Sequence, residues 1–147
     1  MIKYESLKLD NQLCFALYAA THAITRAYHN GLEKVGLTYT QYLVMMVLWD
    51  KDNLSVGSIA QKLNLDSATL TPMLKRLELA GFLTRKRNLK DERVVEITLT
   101  EVGIALQEQT AKVQNGVVRQ TGLSSEDFNH LRSSLKKLVE NMAINHT

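Results

Sequence analysis

Two groups of residues in this chain can do chemistry: a single thiol, and the polar face of one short helix. Cys14 is the one cysteine among 147 residues. An intrachain disulfide is therefore excluded, and a structural zinc site, which needs several Cys or His ligands at short spacing, is not expected. A lone cysteine is either inert packing or reactive chemistry. With Asp10 as the expected N-cap, Cys14 falls at N4, where the positive end of a helix favours the thiolate; the Asp10 charge and apolar Leu13, Phe15 and Leu17 oppose it. The second group lies between Asp66 and Gly81, DSATLTPMLKRLELAG. Leu70, Met73, Leu74 and Leu77 recur at helical spacing, leaving Thr69, Thr71, Lys75, Arg76 and Glu78 on the other surface. Small hydroxyls followed by cations suit a helix that enters a major groove N-terminus first, although a merely solvated face has the same pattern.

The elements around these groups decide between such readings. The length is that of a single domain with a real core, and one Pro and seven Gly in a chain 45% hydrophobic predict mostly helix. No repeat, low-complexity tract, apolar leader or bilayer-length run occurs, so a cytoplasmic location without membrane attachment is the default expectation. The net charge is only +3, but Lys75, Arg76, Arg85, Lys86, Arg87, Lys90 and Arg93 crowd one quarter of the chain, which favours a nucleic-acid partner. His22, His29, His130 and His146 are scattered, no cofactor motif is present, and neither a cofactor nor a metal nor a catalytic residue is called for.

A first helix is expected over about Asn11 to Glu33, with Leu13, Leu17, Ala20, Ile24, Ala27 and Gly31 as its apolar stripe. Thr38 or Tyr39 opens a second, whose segment Tyr42 to Trp49 is apolar nearly all round and so deeply buried; Met45 and Met46 within it are packing or the lining of a ligand cavity. Ser55 caps a short third helix, and a break at Asn64 to Asp66 leads into the polar-faced helix, making a helix-turn-helix. Pro72 is harmless if Thr69 is the cap and bends the helix if Asp66 or Ser67 is. Strands Phe82 to Arg87 and Val94 to Leu99 flank a basic turn and form a wing, from whose tip Arg93 can enter a minor groove. Thr100 caps a fifth helix ending near Gln120. Ser124, with Asp127 three residues on, opens a sixth carrying Phe128, Leu131, Leu135, Leu138 and Met142, a seam for a partner helix or for internal packing. The expected fold is a mostly α winged helix-turn-helix with a small β-wing. A single domain, 1–147, holds a DNA-binding lobe at 38–100, with dimerisation helices at 1–37 and 101–147; a two-fold homodimer matches a palindromic double-stranded operator.

The strings LDSATLTPMLKRLELAGFLTRKR and DERVVEITLTEVG resemble the MarR family of regulators over nearly the whole chain, and Asp91-Glu92-Arg93 is characteristic of its wing. KLDNQLCFALYAA, Tyr28 and the TYTQYL run are similar to the organic hydroperoxide sensors of that family, the OhrR group. The resemblance implies a winged-helix repressor released when its N-terminal cysteine is oxidised. It makes Cys14 the redox-sensing thiol, with Tyr28 and Tyr39 of the other subunit as hydroxyl partners and Tyr18 as a third. It assigns Ser67, Thr69 and Arg76 to the major groove and flanking phosphates, and Asp91 with Arg93 to the wing. Thr71, Lys75 and Arg87 extend this surface. Some members carry a second, resolving cysteine, which is lacking here. Oxidation by an organic hydroperoxide must then stop at sulfenic acid, cap with a low-molecular-weight thiol, close a sulfenamide or over-oxidise. Two other functions remain open: a repressor of the same fold released by a phenolic ligand near Met45 or Trp49, and a thiol peroxidase using Cys14.

Overall fold

The structure, a computed structural model, describes residues 1–145; His146 lies outside them. Two 3-10 turns, Glu5–Leu7 and Leu9–Asn11, precede α1 (Leu13–Lys34), and α2 (Tyr39–Asp50), β1 (Leu54–Ser55), α3 (Val56–Leu63) and α4 (Ser67–Leu79) follow. The chain continues through β2 (Leu83–Arg87), β3 (Val95–Leu99), α5 (Glu101–Gln120) and α6 (Ser125–Ile144). This is the helical fold with a small β-wing expected from the sequence. Contacts divide the chain into two compact units, Met1–Gln114 and the remainder from Asn115, with the boundary inside α5.

In the first unit, the starts of α2, α3 and α4 are written in side chains. Thr38 caps α2 through a capping box: its hydroxyl accepts the Gln41 N–H at 3.3 Å and its own N–H donates to Gln41 Oε1 at 2.9 Å. Ser55 Oγ accepts the Ser58 N–H at 3.1 Å to start α3, which ends on Asn64 in the left-handed region at φ 53°. Asp66 is the cap of α4, its Oδ1 accepting the Thr69 N–H at 2.6 Å. Pro72 therefore sits inside α4, where it cannot bond the Ala68 carbonyl, and Thr71 Oγ1 donates back to the Ser67 carbonyl at 2.7 Å in the same turn.

The core gathers around α2, of which Val44, Met45 and Leu48 are fully buried. Each such side chain contributes about 1.5–3 kcal/mol by leaving water. Met46 departs from the all-round burial expected of this helix and is exposed. Against α2 pack Leu32 and Leu37, Ile59 and Ala60 of α3, and Leu70, Leu74 and Leu77 of α4; the stripe expected of α4 is thus its buried face, with Met73 at its margin. The sheet has the order β1-β3-β2, all antiparallel, with Leu54 opposite Ile97 and Leu83 opposite Leu99. Its first strand, two residues long, had no visible sequence signal.

Helix α1 corrects two expectations. It starts at Leu13 with Gln12, not Asp10, as N-cap, because Leu9–Asn11 forms a 3-10 turn. More importantly, its apolar stripe is not core: Leu13 is 62% exposed and Ile24 is also open to solvent, and the buried residues of α1 are Tyr28 and Leu32 at its far end. In the second unit, Ser124 caps α6, accepting the Asp127 N–H at 3.1 Å. None of the residues on α6 is buried, and Leu131, Val139 and Met142 are exposed.

Candidate nucleic-acid interface and thiol site

Helix α4 presents its N-terminal turn beside the wing root. Ser67, Thr71 and Arg93 line one cleft of about 430 Å³ together with Ser55, Val56, Gly57, Val94 and Val95, so the fold brings residues proposed on the reading helix together with one proposed on the wing. Thr69 lies on the exposed side with Lys75 and Arg76 further along. Hydrogen bonds from the Thr69 N–H and hydroxyl hold the Asp66 carboxyl below the usual carboxylate range.

The wing is a braced hairpin. Asn88 Oδ1 accepts the N–H groups of Lys90 at 2.8 Å and Asp91 at 3.1 Å, while its Nδ2 donates to Glu96 Oε1 at 2.6 Å. Arg87 Nη1 donates to the Glu92 carbonyl at 2.9 Å across the turn. Arg93 points into solvent with its side chain 90% exposed. It is nevertheless held: Nε and Nη2 fork onto Asp91 Oδ1 and Oδ2 at 3.1 and 3.2 Å. The guanidinium keeps the Asp91 carboxyl below its ordinary range. Asp91 as a carboxylate repels phosphate, and its place on this surface is as the fixture that orients Arg93. Of the basic cluster, Arg85 is withdrawn, its Nε paired with Glu78 Oε2 at 3.1 Å.

The thiol site is split. Cys14 is a free, exposed cysteine at the second residue of α1, in the turn whose N–H groups lack helical partners. Tyr18, one turn on, is 63% exposed and stacks edge-on with His22, centroids 4.3 Å apart. Tyr28 and Tyr39 are elsewhere, their rings 5.4 Å apart. The 14 helical residues from Cys14 to Tyr28 rise about 21 Å along α1, so no Tyr28 hydroxyl reaches the sulfur of its own chain. A cleft of about 330 Å³ lined by Tyr39 with Thr25, His29, Glu33, Thr38 and Gln41 opens next to the tyrosine pair.

Sequence placed the wing turn at Asn88 to Glu92 without giving Asn88 a role, and it gave Tyr42 none beyond packing. Asn88 organises the wing turn, and an Asn three residues before Asp91 was a readable turn signal. Tyr42 joins Tyr28 and Tyr39 at centroid distances of 5.3 and 6.0 Å; within an apolar helix its ring gave only a packing signal. Burial first, and then the neighbouring Tyr28, push the phenols of both Tyr39 and Tyr42 up. A further cleft of about 250 Å³ is lined by Tyr42, Met46, Trp49 and the α5 residues Gln107, Thr110, Ala111 and Gln114, while Met45 is sealed in the core. Among the described residues no cluster of His, Cys, Asp and Glu is placed to hold a metal, and no helix is long and apolar enough to cross a membrane.

A family model described as transcriptional regulator SarA/Rot matches residues 26–115. The organic hydroperoxide resistance transcriptional regulator of Bacillus subtilis is 44% identical over 140 residues, covering 95% of each chain. Reduced AbfR bound to DNA superposes with a TM-score of 0.78 at 35% identity, covering 97% of this chain and 99% of that one. Overoxidized AbfR bound to DNA gives 0.72 at 39% identity, with 92% and 99% covered; AbfR is a protein of Staphylococcus epidermidis.

Proposed function

This chain belongs to the winged-helix transcriptional regulators of the MarR type, in the group of organic hydroperoxide resistance regulators, and we propose that it is a repressor whose hold on its operator is released by oxidation of Cys14. The observation that carries the reading is the placement of an exposed thiol on the first turn of α1, with its phenol cluster about 21 Å along the same helix. A complete site then needs two subunits, the Cys14 of one beside the Tyr28 and Tyr39 of the other. The apolar seam left open on α1 supports that assembly as a homodimer, with residues 38–100 as the reading lobe and the helices outside it as the pairing elements. Ser67, Thr69, Thr71, Lys75 and Arg76 face the major groove and its phosphates, and Arg87, Asp91 and Arg93 form the wing contact.

The chemistry balances without a cofactor. The Cys14 thiolate attacks the terminal oxygen of an organic hydroperoxide, the O–O bond breaks, the alcohol leaves with a proton, and sulfenic acid remains. Phenol donors stabilise the anion before the attack by charge-assisted hydrogen bonds. With no resolving cysteine in the chain, a low-molecular-weight thiol condenses with the sulfenic acid, expelling water and leaving a mixed disulfide. We expect that adduct to be the effective switch, because a bulky group in a packed subunit contact perturbs it more than one oxygen does. That an overoxidized relative is bound to DNA supports this. Cumene hydroperoxide alone is expected to release little operator and hydroperoxide with added thiol to release most of it; full release at the sulfenic acid stage, identified by intact mass beside the gel shift, would refute the order.

On the DNA side, Arg93→Ala is expected to weaken operator binding about five- to hundredfold through lost minor-groove contact, and Lys75→Ala to flatten the salt dependence by about one unit of slope. Binding titrations at several salt concentrations test both, and an unchanged slope removes Lys75 from the phosphate contacts. The cleft at Met46 and Trp49 favours a second reading, release by a bound phenolic ligand.

A further inference from the structure

The last turn of α4 is tied to the wing by a fork. Arg85 Nε donates to Glu78 Oε2 at 3.1 Å and Arg85 Nη2 donates to Glu78 Oε1 at 3.4 Å, both side chains being partly buried. Side chains alternate along a strand, so Leu83, Arg85 and Arg87 share one face of β2. Leu83 is 1% exposed, which makes this the face turned to the core. Arg85 is the next residue out on that face, where apolar packing gives way to charge.

Its place in the sheet gives the tie its value. In the order β1-β3-β2, β2 is an edge strand, while β3 is braced on its other side by β1 at Ile97 and Glu96. β1 ends there, so at the Arg87–Val95 rung the wing is two strands wide, and a two-stranded ribbon is marginal by itself. Arg93 follows the turn of this ribbon, two residues before β3. The Asp91 fork fixes its guanidinium within the turn; the Glu78 fork fixes the edge strand of that ribbon against the helix. A wing free to swing has to be ordered when DNA binds, which weakens affinity, and a wing already fixed avoids that loss.

Glu78 is also a carboxylate on a surface that meets phosphates. By charge alone, its removal would tighten binding to any duplex. As a tether, its removal would loosen binding to the operator, so the two roles predict opposite signs.

We propose that Glu78 and Arg85 are positioning residues of the DNA reader: their forked ion pair locks the free edge of the wing to α4, so that Arg93 meets the minor groove at a fixed offset from the helix in the major groove. This rests on the reading that Arg93 contacts DNA. Neither member of the pair touches the operator. Arg85 is a brace, although its charge alone would place it among the phosphate contacts.

The test measures fluorescence anisotropy of the reduced full-length protein on two duplexes of equal length, one selected by the parent from random-sequence DNA and one with that sequence shuffled. Thermal melts establish that each variant is folded. Glu78→Ala is expected to bind the selected duplex about two- to tenfold more weakly, the span of one hydrogen bond, and the shuffled duplex no more weakly than the parent does. Added to Arg93→Ala it is expected to cause no further loss, because the pair acts only through the wing. If Arg93→Ala weakens binding and Glu78→Ala leaves it unchanged or tightens it, the proposal is overturned and the wing contact stands. An equal loss from Glu78→Ala in the Arg93→Ala background also overturns the proposal, since the pair then acts elsewhere. Parent-like binding by Arg93→Ala overturns the wing contact and the proposal with it. Should Glu78→Ala fail to fold, Arg85→Lys, which keeps the charge and loses the fork, carries the test: it is expected to weaken the selected duplex about two- to fivefold, and unchanged binding overturns the proposal.

Discussion

Cys14→Ser is expected to bind the operator as the parent does and to keep it when hydroperoxide and thiol are added, a treatment that weakens the parent about 5–150-fold, the span of an ordinary coupling free energy. Serine preserves size and a hydrogen-bonding atom, but its hydroxyl does not attack a peroxide bond. The substitution is also structurally mild. Cys14 is exposed on its own chain, on the first turn of α1, and fills no core there, and serine is close to it in size. A gel shift of both proteins before and after treatment measures the difference. If the serine variant is released as readily as the parent, the thiol is a bystander and the cleft at Met46 and Trp49 becomes the input. Many turnovers of hydroperoxide by the parent with an external thiol would instead make the protein a peroxidase.

Gly103→Ala is expected to lower stability by about 3 kcal/mol or more and Tm by roughly 10 °C, although Gly→Ala inside a helix ordinarily stabilises by up to about 1 kcal/mol. The sign reverses because a Cβ at this position would lie 1.9 Å from the Phe82 carbonyl oxygen and 2.9 Å from its carbon. Neither element can retreat cheaply. The Gly103 N–H donates to Thr100 Oγ1 at 3.0 Å, the Gly103 carbonyl accepts Trp49 Nε1 at 2.9 Å, and Thr100 Oγ1 donates to the Gly81 carbonyl at 2.6 Å. The start of α5 is thereby pinned to α2 and to the base of β2. A thermal melt followed by circular dichroism checks the prediction; a Tm within about 2 °C of the parent would mean that the junction yields and that α5 is not registered against the reading lobe there.

The helix-turn-helix and wing were legible because their signals are local. Capping hydroxyls at Thr38, Ser55, Thr100 and Ser124 each stand one residue before a helix, and the α4 stripe is the face that is buried. The choice of cap at Pro72 was not legible, since Asp66, Ser67 and Thr69 all have capping side chains and only the fold decides which one bonds. The α1 stripe was legible as a pattern but not as a destination: periodicity reports that a face avoids water, not whose atoms cover it. Tyr42 was hidden for a related reason. In a helix apolar all round, a tyrosine reads as bulk, and its place in the ring cluster shows only when Tyr28, fourteen residues upstream of it, is brought to its side. The candidate thiol was plain from its rarity, but the separation of Cys14 from Tyr28 follows only once α1 is continuous from Leu13 to Lys34.

That continuity has a genetic reading. If Cys14 meets Tyr28 and Tyr39 across a dimer, a chain with Cys14→Ser and a chain with Tyr28 and Tyr39 both changed to Phe are each expected to be defective when paired with themselves, one lacking thiols and the other phenols. Co-expressed, they are expected to complement, because the mixed dimer would hold one whole sensor and one doubly broken one. Two alleles that fail alone would restore response together, and the depth of that response would report whether a single event per dimer is enough to free the operator.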